Sequence, residues 1–171
     1  MLYENLAELR GRVAAPGTLR WIGVRPAREL PMHTPEAVEA IAGQGLAGDR
    51  HAARARSTPG NRQVTLIQAE HLPVIAALAH HDAGVAPAQL RRNLVVSGIN
   101  LLALQRARFR IGEVELEGTG PCHPCSRMEA ALGFGGYAAM RGHGGITARV
   151  LVGGWLRLGD DVRPLAGQVG E

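Results

Sequence analysis

The sequence predicts a mainly β protein of the α+β kind, a barrel or sandwich of short strands flanked by a few short helices. Three observations lead there. The 171 residues include 23 Gly and 10 Pro, so turns are frequent and long unbroken elements are not. Short apolar runs recur between turn signals at a spacing of about 8–12 residues, the signature of an all-β barrel or sandwich. Phe, Tyr and Trp number two each, so the core must come from Val, Leu, Ile and Ala. A chain of this length, 46% hydrophobic and 20% charged, is expected to form a single domain over residues 1–171 without needing disulfides or a structural metal.

In chain order, Tyr3 to Leu9 suits a short helix, and Thr18 to Val24 alternates as a strand does. Arg25 to Pro35 carries three prolines and reads as loop. Pro35 to Ile41 suits a helical turn or two, with Thr34 as cap and Pro35 at the first helical position. Gly43 to Asn61 is rich in Gly, Arg and small residues. It reads as a long surface loop, and such loops in compact domains tend to be functional. Val64 to Ile67 is a strand, and Ala69 to Ala79 is a helix with Pro73 in its first turns. Pro87 to Leu90 begins another short helix, and Asn93 to Ser97 is again a strand. Arg108–Ile111 and Val114–Glu117 form a hairpin about Gly112-Glu113, and Met128 to Leu132 is helical. Ile146–Val152 and Trp155–Leu158 flank Gly153-Gly154 as a second hairpin, with the alternating apolar residues of Val150–Leu158 in the core. Gly159-Asp160-Asp161 then turns into Val162–Pro164.

Charge narrows the function classes. All 19 basic residues are arginine, against 15 acidic ones, for a net charge of +4. The lack of lysine excludes a P-loop, a pyridoxal phosphate Schiff base and a lysine general base. What remains suits fork-shaped clamping of phosphate or carboxylate. An acidic partner fits this balance. Nucleic acid does not, because few aromatics offer stacking and no arginine run is long enough to form a tail. No apolar stretch of about 18 residues is present for a membrane helix. Met1 to Asn5 has no basic start leading into an apolar run, so the expected location is the cytoplasm. Two cysteines two residues apart are not a secreted disulfide framework.

The sharpest chemical feature is Gly120-Pro121-Cys122-His123-Pro124-Cys125-Ser126-Arg127. Its prolines exclude a regular ladder and fix both thiols on a turn. A cysteine just before a helix, beside Arg127 and near His123, is expected to favour the thiolate that attacks, carries sulfur or binds soft metals. Structural zinc would need His123 and the distant His143 to complete its ligands, and a thioredoxin-like pair would need a βαβ setting. Two inert, buried cysteines are the plain alternative. Gly45 to His51 offers backbone amides with Asp49, Arg50 and His51, and Arg50 can clamp a phosphate. Arg91-Arg92-Asn93 can take a second anionic group, or a heterocycle through the Asn93 amide. Gly142 to Gly145 lines a cleft or forms a plain turn. His33, His71, His80 and His81 read as surface or capping residues, and Asp160 and Asp161 as turn formers.

Taken in order, five segments resemble a MOSC domain, the family named from the C-terminal part of molybdenum cofactor sulfurase. They are GLAGDRHA (45–52), QVTLIQAEHL (63–72), RRNLVVSGINL (91–101), FRIGEVELEGTGPCHPCSRME (109–129) and GHGGITARVLVGGWLRLGDDV (142–162). The resemblance implies a β-rich, barrel-like fold that binds the molybdenum cofactor (molybdopterin) or carries sulfur. It implies Cys125, in its Pro124-Cys125 setting, as molybdenum ligand or sulfur carrier, with Cys122 as a partner thiol. Arg50, His51, Arg91, Arg92, Asn93 and Arg127 are then the cofactor-binding candidates. Related members reduce N-hydroxylated compounds. The resemblance therefore implies a molybdenum-dependent reductase of such small molecules, served by a separate electron-transfer protein. The alternative is a persulfide module, charged by a cysteine desulfurase, for cofactor sulfuration or metal–sulfur cluster assembly. The sulfurase's own pyridoxal phosphate chemistry needs a lysine that this chain lacks.

Overall fold

The structure is a computed structural model that describes residues 6–54 and 58–165. Helix α1 (Leu6–Arg10) precedes β1 (Gly17–Ile22), β2 (Ala37–Ile41) and β3 (Gly45–Leu46). β4 (Val64–Gln68) leads through α2 (His71–Leu78) to β5 (Leu94–Ser97). After a 3-10 turn at Leu101–Leu104 come β6 (Arg108–Ile111), β7 (Val114–Pro121), α3 (Ser126–Leu132) and α4 (Gly136–Met140). The chain ends in β8 (Ile146–Val152), β9 (Gly154–Arg157) and β10 (Asp161–Pro164).

Seven strands close a barrel in the order β1-β10-β6-β7-β8-β4-β5, and β3-β2-β9 form a separate three-stranded sheet. Every barrel pair is antiparallel except β4 with β5, whose connection runs through α2. That parallel pair is buried on both faces, which explains its nearly continuous apolar sequence. Leu66, Leu94 and Val96 point into the barrel core with Leu19, Phe109 and Leu116. Ile67 and Val95 point the other way, against Ile75 of α2, Met128 and Leu132 of α3, and Met140 of α4. The strand period of two thus builds two cores from one pair of strands. The small sheet joins the barrel core through Val38, Ala40, Leu46 and Leu156.

The Gly112-Glu113 hairpin, the β4 and β5 strands and helices α2 and α3 lie where the sequence puts them, within a residue or two. Other expectations are corrected. Residues 35–41 hold a strand rather than a helix: Ala37, Val38, Glu39 and Ala40 pair with β9, and Val38 and Ala40 are buried on one face. Long-range pairing outweighs the helix propensity of Glu and Ala here. Gly153-Gly154 is not a hairpin turn. β8 pairs with β4 and β7 while β9 pairs with β2, so these glycines carry the chain from the barrel to the second sheet. Along Val150–Leu158 only Val150 and Leu156 are buried, whereas Val152, Trp155 and Leu158 are exposed. Residues 87–90 form successive turns rather than a helix. The 43–61 loop contains β3 and the fully buried Leu46, and its residues 55–57 lie outside the described residues, as do 3–5 of the first predicted helix. Among the described residues no helix is long and apolar enough to cross a membrane.

Candidate functional site

Five segments far apart in sequence enclose one cleft of about 280 Å³. They are the loop after β1, the loop after β3, the residues leading into β5, the turn between β7 and α3, and the start of β4 with the residues before it. Backbone pairing brings them together. Gly23 N donates to Asn93 O at 2.7 Å, and Arg50 N donates to Arg25 O at 2.8 Å. Cys122 N donates to Gly145 O at 2.9 Å, which ties the cysteine turn to the loop before β8.

Asp49 pins the first three segments together. It is 3% exposed, and its carboxylate accepts from Arg25 N at 3.0 Å, His51 N at 3.0 Å and Asn93 Nδ2 at 3.1 Å. A buried carboxylate requires such donors. Asn93 is engaged on every side. Its Nδ2 also donates to Gly23 O at 3.0 Å, while its Oδ1 accepts from Thr65 N and Thr65 Oγ1, each at 3.1 Å. The amide is therefore a strut of the cleft wall.

Arg92 is a second strut. Only 5% exposed, it donates from Nε to Gly144 O at 2.8 Å, from Nη1 to Leu90 O at 2.7 Å, and from Nη2 to Cys122 O at 3.4 Å. Burial lowers its pKa, partly offset by the neighbouring Cys122 and then Cys125. The glycines of the 142–145 segment follow from this packing. A Cβ on Gly144 would lie 2.3 Å from Cys122 O, and one on Gly145, at φ +83°, would lie 1.8 Å from Leu66 O.

The remaining arginines differ. Arg25, Arg50, Arg91 and Arg127 line the cleft, and among the described residues none forms an ion pair. Burial lowers the Arg25 pKa, followed by repulsion from Arg91 that Asp49 partly offsets, with Arg50 and Arg127 adding to it. Burial likewise lowers that of Arg91, followed by Arg127 and Arg50, while Cys125 raises it. These mutual effects place four guanidiniums and the Cys125 thiol in one electrostatic neighbourhood. Cys125 is exposed at the N-cap of α3 in an extended backbone, whereas Cys122 is buried, and both are free.

The structure thus brings Arg50, His51, Arg91, Arg92, Asn93, Cys122, Cys125 and Arg127 to one cleft. Arg25, Arg62 and Thr65 also line it, and sequence reasoning missed them. Arg25 follows a strand and precedes a proline, an unremarkable context, and only its pairing with Asp49 and Arg50 reveals it. Among the described residues no three of His, Cys, Asp and Glu gather as a metal cage. His143 meets the ring of His71 edge-on, centroids 5.3 Å apart, and the Nδ1 atoms of both are buried without a partner among the described residues. His71, read from sequence as a surface or capping residue, is half-buried at the first position of α2. Burial lowers its pKa, helped by His143 and opposed by Glu70.

The family model of the MOSC domain matches residues 45–163. The crystal structure of YuaD from Bacillus subtilis is similar at a TM-score of 0.72 and 19% identity, over 86% of this chain and 94% of that one. YiiM from Escherichia coli is similar at 0.64 and 18%, over 88% of this chain and 71% of that one. YiiM from Geobacillus stearothermophilus is similar at 0.65 and 16%, over 88% and 75%. No curated protein matches in sequence.

Proposed function

The chain belongs to the MOSC domain family, and from that premise we propose that its cleft holds a molybdenum cofactor, with the Cys125 thiolate as protein ligand to the metal, in a reductase of N-hydroxylated compounds. The carrying observation is an exposed thiol on a cleft whose wall is rich in guanidinium groups. The donor set suits the group. Arginine forks match a phosphate, and a soft thiolate matches a molybdenum-type centre. When bound, the cofactor supplies the electron and oxygen-atom chemistry.

The chain supplies placement. Arg50, Arg91 and Arg127 lack ion-pair partners within the described residues, so their forks are the ones that receive the phosphate. Arg92 and Asn93 hold the walls to which those arginines are attached. The His51 backbone is fixed through its N–H on Asp49, which keeps the residue on the cleft lining. Cys122, behind the turn, sets the position of Cys125 through its own N–H and carbonyl. Electrons come from a separate electron-transfer protein, since the sequence has no flavin or iron–sulfur signature.

The test is Cys125→Ser, expressed in a host that makes the cofactor. Molybdenum per chain is expected to fall at least about tenfold, the loss of roughly 1.4 kcal/mol of metal binding, with an unchanged melting temperature. A variant that keeps its full molybdenum overturns the reading. The exposure of Cys125 favours one second reading, a persulfide carrier. In it, the Cys125 thiolate takes the terminal sulfur of a cysteine desulfurase persulfide, and the desulfurase cysteine leaves as thiolate. A mass increase of one sulfur, lost in Cys125→Ser, distinguishes this reading.

A further inference from the structure

A second groove lies against the cleft and shares three of its arginines. It measures about 490 Å³, against about 280 Å³ for the cleft, and Arg25, Arg91 and Arg127 line both. Arg28, in the loop after β1, adds a fourth guanidinium that the cleft does not have, and Glu29 is the one carboxylate on the lining. The rest of the lining is Gln89, Ala88 and two exposed residues of α3, Ala130 and Ala131, the alanine methyl groups supplying its apolar part.

Three features make this more than a patch of solvated arginines. Among the described residues none of the four guanidiniums forms an ion pair, although three other arginines of the barrel strands do. Arg91, at the junction of cleft and groove, has φ +60°, a left-handed backbone that glycine or asparagine would adopt with less strain. That cost falls on any residue with a Cβ, and at this junction it is carried by an arginine. Burial and the neighbouring guanidiniums also hold Arg25 and Arg91 below the usual arginine range, with Arg28 among the groups acting on Arg91. An anion in the groove relieves that repulsion.

We propose that this groove is an anion subsite for the phosphate group of a small organic ligand, whose apolar portion lies on Ala88, Ala130 and Ala131. Phosphate fits better than carboxylate, because four guanidiniums against one carboxylate call for a group carrying close to two negative charges. The subsite needs no metal and does not involve Cys125. Arg91 and Arg127, at the junction, are shared with the proposed cofactor phosphate, which is why the test uses chain free of cofactor.

The test uses the full chain purified without cofactor, titrated calorimetrically with inorganic pyrophosphate, ADP and adenosine. Pyrophosphate and ADP are expected to bind, ADP more tightly, and adenosine not to bind. Arg28→Ala is expected to weaken both about tenfold, the scale of one lost charge-assisted contact. Ala131→Glu, which sets a carboxylate on the lining, is expected to weaken them further. Both positions are exposed, and circular dichroism checks that the variants fold. Arg50→Ala, which touches only the cleft, is expected to change ADP affinity less than either. The proposal is overturned if neither pyrophosphate nor ADP binds, or if ADP binds no more tightly than pyrophosphate. It is also overturned if Arg28→Ala and Ala131→Glu bind as the parent does while Arg50→Ala does not. Molybdenum content of Arg28→Ala, expected to equal the parent's, keeps this outcome separate from the Cys125 test.

Discussion

On the outer wall of the barrel, arginines stand beside carboxylates. Arg110 faces Glu115 across the β6–β7 ladder and Arg149 faces Glu117 across β7–β8, each at 2.8 Å, while Arg163 meets Asp161 along β10 at 2.9 Å. Around the cleft, Arg25, Arg50, Arg91 and Arg127 face one another instead. The one carboxylate on that lining, Asp49, gives its oxygens to two backbone N–H groups and the Asn93 amide. Strand register sets opposite charges opposite each other on the wall and quenches the local field. In the cleft no ladder imposes such a pairing, so the positive potential persists and concentrates anions. Stability and binding are therefore carried by different residues. Exposed pairs on the wall contribute little to either, and the buried struts beneath the cleft hold its charged surface in place.

That division can be broken from the strut side. Asp49→Ala orphans three donors in the cleft wall, and the expected loss is about 4 kcal/mol, read as a lower urea midpoint at unchanged slope. Arg92→Leu leaves the carbonyls of Leu90, Cys122 and Gly144 short of a donor and is expected to cost about 3 kcal/mol by the same measurement. The cleft arginines should behave in the opposite way. Arg91→Gly relieves the left-handed backbone and the repulsion from the neighbouring guanidiniums, so it is expected to raise stability by about 0.5–1 kcal/mol while lowering molybdenum content. A loss of stability there would mean that Arg91 is a strut as well. Glu117→Gln, on the wall, is expected to change stability by less than about 1 kcal/mol, and by less still in high salt.

The smallest effect is one of pH. The folded His71 pKa lies below 6.5, chiefly through burial and then His143, against the pull of Glu70. The unfolded chain therefore binds that proton first, and stability falls as pH drops below 6.5 toward the folded value. Melting temperatures measured from about pH 7.5 to 5.5 should show this decline, with a shallower one in His71→Gln.

Much of the strand content was legible because alternation and turn residues are local signals. Val64–Ile67 and Asn93–Ser97 read as strands from the sequence, and the structure has them as Val64–Gln68 and Leu94–Ser97, both largely buried. PEAVEAI was not legible, since its residues favour a helix and only pairing with β9 makes it a strand. Gly153-Gly154 announces a change of direction but not which sheet the chain enters. Within the site, the Cys-His-Pro-Cys turn and the Arg-Arg-Asn run could be seen as chemically loaded. That Arg92 and Asn93 face inward as struts while Arg91 remains at the opening could not be seen, because adjacent residues differ there only in the partners that the fold brings.

By itself the order of residues determined a β-rich chain, an all-arginine positive charge, a cysteine turn before a helix and membership of a recognisable family. These are properties of composition and near neighbours, which the chain carries before it folds. Only the tertiary structure decided which guanidiniums are quenched and which stay unpaired, and which thiol is exposed. Those outcomes depend on hydrogen bonds between segments tens of residues apart, such as Gly23 with Asn93 and Arg92 with Gly144, and no local pattern encodes such distances.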